Sequence, residues 1–470
     1  MERDGSDALI VLIGGTGDLA VRRIAPALYG LWLKGGLGPA ARIVGLARSE
    51  LDDDGYRARL AEAARAAGGG ALPPRFDEFL RLVRYERGDA SMPEAYGRLA
   101  SGALADPAAD AVFYLSCAPS LYGDAARMIA QAGLAGKRSQ ARGFRRLAVE
   151  KPFGSDIYSA RVLNALLHRY YDEADIFRVD HYLGKDAVRD ILRFRFEHAL
   201  FEPLWNARHV RRVEIRAMES GGIGDRGGYY DGAGALRDMV QNHLAQLLCL
   251  AAMDAPDDLS PDAVREAKVR LLRAVETPDP SADGRAALRA QYRSGAGLPD
   301  YRAERYVAAG SATETFVALR LAIRNRRWEG VPFVLCTGKA LRERYGELKI
   351  VFDGSDGSPR ELSLRIQPEP AATLRLDAGT LDAGALGGPD AALRLDDDSR
   401  EAGRERAEPY ERILSELLAG RSDLFTRFDE AEEAWRIVQP LLERWKGAPE
   451  EGLLSYPAGG DGPPLDIFLR

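Results

Sequence analysis

A chain of 470 residues, 46% hydrophobic and 29% charged, has the composition of a globular protein and the length of two domains rather than one. Its net charge of −6, with no long basic run, excludes a surface built to track nucleic-acid phosphates. No apolar stretch reaches the ~18 residues that cross a bilayer, and Met1-Glu2-Arg3-Asp4 does not open a signal peptide, so a cytoplasmic location with no membrane partner is expected.

Residues 8–13 are a short apolar run ending in glycine, as in a strand buried on both faces. Residues 19–33 carry apolar side chains at helical spacing up to the Gly35-Gly36 break, so the chain opens as strand, glycine turn and helix. In that turn Gly14, Gly17 and Ala20 are spaced as in a dinucleotide loop, where small residues let the backbone approach a pyrophosphate at a helix N-terminus. Further strands are predicted at 42–47, 111–116 and 146–149, with helical patterns between them. This alternation predicts an α/β domain over 1–177, a Rossmann-like doubly wound parallel sheet. After the 42–47 strand, where an NAD-specific fold carries an acidic residue, stand Arg48 and Ser49. A guanidinium and a hydroxyl there suit the 2′-phosphate of NADP, while the adjacent Glu50 leaves NAD as a weaker alternative.

Residues 178–470 read as a second, α+β domain with a large, mainly antiparallel sheet. Strands are predicted at 210–218, 314–323, 332–336, 348–352 and 362–366, and helices near 234–252, 262–274, 407–419 and 429–446. Segments 275–310 and 378–405, rich in Ala, Asp, Gly and Pro, read as surface loops. Cys117, Cys249 and Cys336 lack metal-ligand spacing, are too few for a disulfide framework, and each reads as a small buried core residue. With five histidines and no His-x-x-His pattern, no metal is expected.

Three segments carry chemistry. Arg178-Val179-Asp180-His181-Tyr182-Leu183-Gly184-Lys185 combines a carboxylate, an imidazole, a phenol and an ammonium. His181 and Lys185 at a loop-to-helix junction can converge on one anion, with Tyr182 as a neutral donor, which suits a phosphorylated polyol. In Glu150-Lys151-Pro152-Phe153-Gly154 the proline stiffens the turn that projects the Lys151 ammonium. His243 lies in the helical stretch 234–250, five residues after Asp238, and taken alone reads as a satisfied core histidine.

Together with Gly14-Gly15-Thr16-Gly17-Asp18-Leu19-Ala20, these segments resemble the glucose-6-phosphate dehydrogenase family. Arg226-Gly227-Gly228-Tyr229-Tyr230-Asp231, Arg237-Asp238-Met239-Val240-Gln241-Asn242-His243, Val331-Pro332-Phe333, Gly338-Lys339-Ala340-Leu341 and Glu433-Ala434-Trp435-Arg436-Ile437 follow in the family's order, so the resemblance spans nearly the whole chain. It implies oxidation of D-glucose 6-phosphate to 6-phospho-D-glucono-1,5-lactone with reduction of NADP, the oxidative entry to the pentose phosphate pathway. It also implies that His243 is the base and Asp180 its orienting carboxylate. The implied sugar-phosphate contacts are His181, Tyr182 and Lys185, the sugar-hydroxyl contacts Lys151, Glu219 and Asp238, and further substrate contacts Lys339 and Arg344. Cofactor contacts fall on Gly14, Gly15, Thr16, Gly17, Asp18, Leu19, Arg48, Ser49, Tyr122 and Lys151. A homodimer or homotetramer through the second domain is expected. Val21-Arg22-Arg23 departs from the family's usual lysines, and Tyr345 after Arg344 argues against a second, structural NADP. The alternatives are a dehydrogenase of another hexose 6-phosphate or amino-sugar phosphate, and a silent NADP-binding regulatory subunit.

Overall fold

The structure is a computed structural model that describes residues 5–138, 141–197, 200–280, 286–354, 359–375, 392–394 and 408–469. It divides into two compact units. One comprises Met1–Gly154, Tyr158–Gly184 and Arg406–Phe428, and the other Ser155–Ile157, Lys185–Glu405 and Asp429–Arg470. The first unit continues past residue 177 because residues on both sides of that point belong to one strand of its sheet.

That sheet is built from β1 (Leu9–Ile13), β2 (Arg42–Ala47), β3 (Val83–Arg87), β4 (Ala111–Leu115), β5 (Arg145–Glu150) and β6 (Ile176–Val179), in the order β6-β5-β4-β1-β2-β3. All five pairings are parallel. The order reverses between β1 and β4, the place where a doubly wound sheet opens a crevice at its strand C-termini. Every residue of β1 and β4 is buried, which is why both appear in sequence as unbroken apolar runs. The helix expected over 19–33 forms in two parts: a wide turn, Ala20–Ile24, and then α1 (Ala25–Leu33). A further helix, α2 (Asp53–Ala67), is capped by Asp52, whose side chain accepts from Gly55 N at 2.8 Å.

In the second unit β7 (Val210–Met218), β8 (Ala287–Arg293), β9 (Phe316–Leu321), β10 (Phe333–Gly338), β11 (Tyr345–Asp353), β12 (Pro359–Gln367), β13 (Ala371–Arg375) and β14 (Ala392–Arg394) share one sheet. Its edge beyond β8 is β16 (Leu453–Pro457), numbered after β15 (Phe425–Thr426), which closes the first unit's sheet antiparallel to β6. Pairings in the large sheet are antiparallel except β7 with β10 and β8 with β16. Phe316, Tyr292, Tyr301 and Tyr456 form the centre of a buried cluster over it.

The segment 275–310, expected to be a surface loop, contains β8. Its Ala290 and Tyr292 are buried, and so is Arg289 just ahead of them, because the Arg289 guanidinium donates to the carbonyls of Ala448, Pro449 and Glu451 at 2.8–3.1 Å. Those bonds cover a charge that makes the segment look exposed in sequence. Of 378–405, only 392–394, the strand β14, lies within the described residues. The helical stretch expected from 234 starts earlier, at Gly227, breaks at Gly234 and continues as a wide helix, Leu236–Leu244, and then Ala245–Ala252. No helix among the described residues is long and apolar enough to cross a membrane.

Candidate active site

The chain leaves β1 through Gly14, whose φ is +91° and whose Cβ, were there one, would lie 2.8 Å from Ser116 O. Only glycine makes this turn. At Gly17 a Cβ would stand 3.1 Å from Gly14 O, and Gly17 N donates to that oxygen at 2.8 Å. From α2, Tyr56 donates to Gly15 O at 2.9 Å and Arg59 to Thr16 O at 2.8 Å, so side chains brace the turn from behind.

A pocket of about 690 Å³ opens here, lined by Gly14, Thr16, Gly17, Arg48, Ser49 and Ser116 among others. The wide turn Ala20–Ile24 follows directly, and the contacts a Cβ would make at Gly14 and Gly17 keep those two positions without side chains. The residues present therefore fit a dinucleotide. Thr16 Oγ1 and Ser49 Oγ lie 3.1 Å apart, tying the glycine turn to the end of β2. Arg48 is largely exposed, with Nη1 4.0 Å from Asp89 Oδ2, while Glu50 is paired with Arg87.

Four expected cofactor residues, Gly15, Tyr122, Asp18 and Leu19, are not in the pocket lining. Gly15 lies beneath the turn, where a Cβ would come within 2.6 Å of Gly45 Cα, so it serves strand packing. Leu121 lines the pocket, whereas Tyr122 is buried. Asp18 is exposed and pairs with Arg22 at 2.7 Å, with Leu19 half-buried beside it. Cys249 and Cys336 are buried as expected, but Cys117 lines the pocket instead of the core, its thiol pushed up to about 11 by burial.

At the end of β5 the buried Glu150 accepts from Tyr114 Oη at 2.7 Å and is also hydrogen-bonded by Tyr410. Burial lifts its carboxyl from 4.5 to about 7 against those bonds and against the neighbouring Lys151. The folded protein thus holds this proton more tightly than the unfolded chain. Its stabilisation is complete below the unfolded value of 4.5 and is lost as pH rises through about 7. Glu150→Gln, which cannot ionise, should gain stability over the parent by roughly 3 kcal/mol between about pH 5 and about pH 8 in denaturant titrations. A difference that stays flat with pH would contradict the raised carboxyl.

Sequence reasoning quoted Glu150 without giving it a role and missed Tyr410 entirely. Tyr410 lies in the helix Pro409–Ala419, from the segment that returns to this unit, and its ring stacks on His181 at 6.2 Å and 12°. No local pattern marks it. After β6, Asp180 Oδ1 accepts from Tyr182 N at 2.9 Å and folds the loop tightly, so the His181 and Tyr182 rings meet edge to face at 5.2 Å. Gly184 closes the loop where a Cβ would be 2.6 Å from Pro409 O.

In the second unit, β7 and β10 pair in parallel with Met218 opposite Gly338, so the residues that follow, Glu219 and Lys339, emerge side by side and form an ion pair. Lys339 is buried, and its ammonium lies 5.2 Å from the Tyr230 ring centroid. Asp238, buried in the first turn of the wide helix, pushes up the hydroxyls of Tyr230 and of Tyr229, the latter to about 12, in each case after burial itself. Glu219, Lys339, Tyr230 and Asp238 thus make one polar cluster, and His243 is buried on the same wide helix as Asp238. Lys185 precedes the helix Asp186–Phe196 and donates to Gln367 Oε1 at 2.7 Å. Arg344 is exposed just ahead of β11. Tyr230 and Gln367 were not anticipated.

Family models described as the NAD binding domain and the C-terminal domain of glucose-6-phosphate dehydrogenase match residues 11–190 and 192–466. The chain is 39% identical to the glucose-6-phosphate 1-dehydrogenase of Mycolicibacterium smegmatis, over 96% of this chain and 94% of that protein. It is 37% identical to that of Rhizobium meliloti, over 98% and 95%. A solved glucose-6-phosphate dehydrogenase in complex with its substrate glucose-6-phosphate superposes with a TM-score of 0.88 at 31% identity, covering 100% of this chain and 98% of that one. The crystal structure of the Mycobacterium avium glucose-6-phosphate 1-dehydrogenase gives 0.83 at 35% identity, over 98% and 96%.

Proposed function

We infer the reaction from the premise that the chain belongs to the glucose-6-phosphate dehydrogenase family: it oxidises D-glucose 6-phosphate to 6-phospho-D-glucono-1,5-lactone, with a nicotinamide cofactor as acceptor. The observation that carries this reading is the unbroken match of both family halves along nearly the whole chain. When bound, the nicotinamide supplies the acceptor for the hydride that leaves C1 of the sugar.

The chain's own residues do the rest. The His243 imidazole takes the proton from the C1 hydroxyl, and Asp180 is the carboxylate that orients it and stabilises the imidazolium. Glu219 and Asp238 of the polar cluster accept from sugar hydroxyls, Lys151 donates to them, and Lys339 is a further substrate contact. Arg344 is a more peripheral substrate contact. His181, Tyr182 and Lys185 grip the phosphate at the far end of the sugar, where their binding energy orients C1.

NADP is the preferred cofactor. Supporting this, Arg48 is exposed beside Ser49 at the pocket, and the adjacent carboxylate, Glu50, is paired with Arg87. Arg48→Ala should raise KM for NADP about 10- to 100-fold and hardly change KM for NAD, since only NADP loses a charge-assisted contact. Equal losses with both would make Arg48 structural.

Assembly as a homodimer or homotetramer through the second unit, and a cytoplasmic location, complete the reading. Initial rates with glucose 6-phosphate against a panel of other hexose 6-phosphates and amino-sugar phosphates, each with NADP and with NAD, test it directly. A higher kcat/KM for another sugar phosphate would overturn the substrate, and a higher one with NAD the cofactor preference.

A further inference from the structure

Glu314 is a buried carboxylate that the reaction above does not use. It sits two residues ahead of β9, and its neighbour Thr315 donates through its backbone N to Ala290 O of β8 at 2.8 Å, so its position is tied to the large sheet. The side chain points at the break between the helix Gly227–Ala235 and the wide helix Leu236–Leu244, where Gly234 has φ +69° and ψ 172°. A helix start leaves backbone N–H groups without intrahelical partners. Here Ala235 N donates to Glu314 O and Leu236 N to Glu314 Oε1, each at 3.0 Å.

The fit is close. A Cβ at Gly234 would stand 2.4 Å from Glu314 Oε1, so the glycine is what admits the carboxylate. An acidic group at a helix N-terminus also complements the helix dipole. The nine residues that start there, Leu236–Leu244, carry both Asp238 and His243 on a wide helix whose ladder runs i to i+5. Those two residues are five apart in sequence, one step of that ladder, so they turn together about an axis whose start Glu314 holds.

We propose that Glu314 is a positioning residue for the dehydrogenation, a buried cap that sets the rotation and height of the wide helix and so places His243 and Asp238 toward the sugar. This rests on His243 being the base. Misplacing a reacting group by a fraction of an ångström lowers turnover without removing any chemistry. Burial raises the Glu314 carboxyl above its ordinary range, against the bond from Leu236 N and the charges of Arg237 and Arg289; the cap needs only an acceptor oxygen, which both protonation states provide.

Kinetics of three variants, run well below each one's Tm, test the cap. Glu314→Gln keeps an acceptor oxygen and should retain kcat within about threefold. Glu314→Leu, similar in size with no acceptor, should lose about 30-fold in kcat while KM for NADP stays within about twofold, because the nucleotide pocket belongs to the other unit. A global loss of stability would not produce that split at a temperature where the variant is folded. Should Glu314→Leu fail to fold, Glu314→Asp, one methylene short of Leu236 N, should show the same loss of kcat.

His243→Asn assayed alongside separates two failures. If it turns over normally, the base assignment falls. If it is inactive while Glu314→Leu or Glu314→Asp keeps the parent's kcat, or if Glu314→Gln is as impaired as Glu314→Leu, the positioning role falls.

Discussion

Replacing His243 by asparagine should lower kcat with glucose 6-phosphate about 10³-fold while KM for the sugar phosphate moves only a few-fold. The expectation follows from what the side chain is asked to do. An imidazole that takes the hydroxyl proton acts only as the C1–H bond breaks, so its loss is felt in the transition state and not in the bound ground state. Asparagine keeps a similar shape and hydrogen-bonding edge in this buried position, which limits collapse of the surrounding helix. Asp180→Asn should show the same pattern, because an amide cannot stabilise the imidazolium. Single-turnover rates with NADP measure both variants. Near-parental turnover in His243→Asn would mean that the proton leaves by another route, and a Tm far below the parent's would show that the histidine holds the core.

The second large effect concerns the remote end of the substrate. Lys185→Ala should reduce kcat/KM for glucose 6-phosphate about 100-fold and leave the poor oxidation of free glucose nearly unchanged. A doubly charged phosphate in a partly enclosed site gains from a compact ammonium what a neutral donor cannot replace, and that energy also orients C1. In the structure the Lys185 ammonium donates to Gln367 Oε1 at 2.7 Å. Comparing the two substrates in parent and variant separates the possibilities. Equal losses on glucose and on glucose 6-phosphate would show Lys185 to be a structural partner of Gln367. In that case Gln367→Ala should reproduce the defect.

Much of the site was legible because it depends on local chain geometry. The turn at Gly14 needs a positive φ and a backbone without a side chain, and glycine alone provides both, so the letters announce the cradle. β2 and β7 have the predicted bounds, Arg42–Ala47 and Val210–Met218, because burial selects their side chains residue by residue. The Asp180 turn is likewise local, a side chain bonding the backbone two residues on. The order of motifs then indicated the family, since each motif carries its chemistry within a few consecutive residues.

Tertiary structure decided which distant residues complete those pieces. Residues 406–428 return to the first unit, where Arg146 Nη1 donates to the carbonyl of Leu417, 271 positions away, and where Tyr410 is laid on His181 and hydrogen-bonded to Glu150. β8 looks like loop in sequence because its segment is rich in Ala, Asp, Gly and Pro, and its buried Arg289 is satisfied by distant carbonyls near residue 450. Glu314 reaches the wide helix across 78 residues of chain. A local segment carries its own φ/ψ needs and its own burial pattern, so sequence by itself fixes strands, glycine turns and motif chemistry. A buried polar group carries only the requirement to be satisfied, and the packing of the whole chain determines by whom.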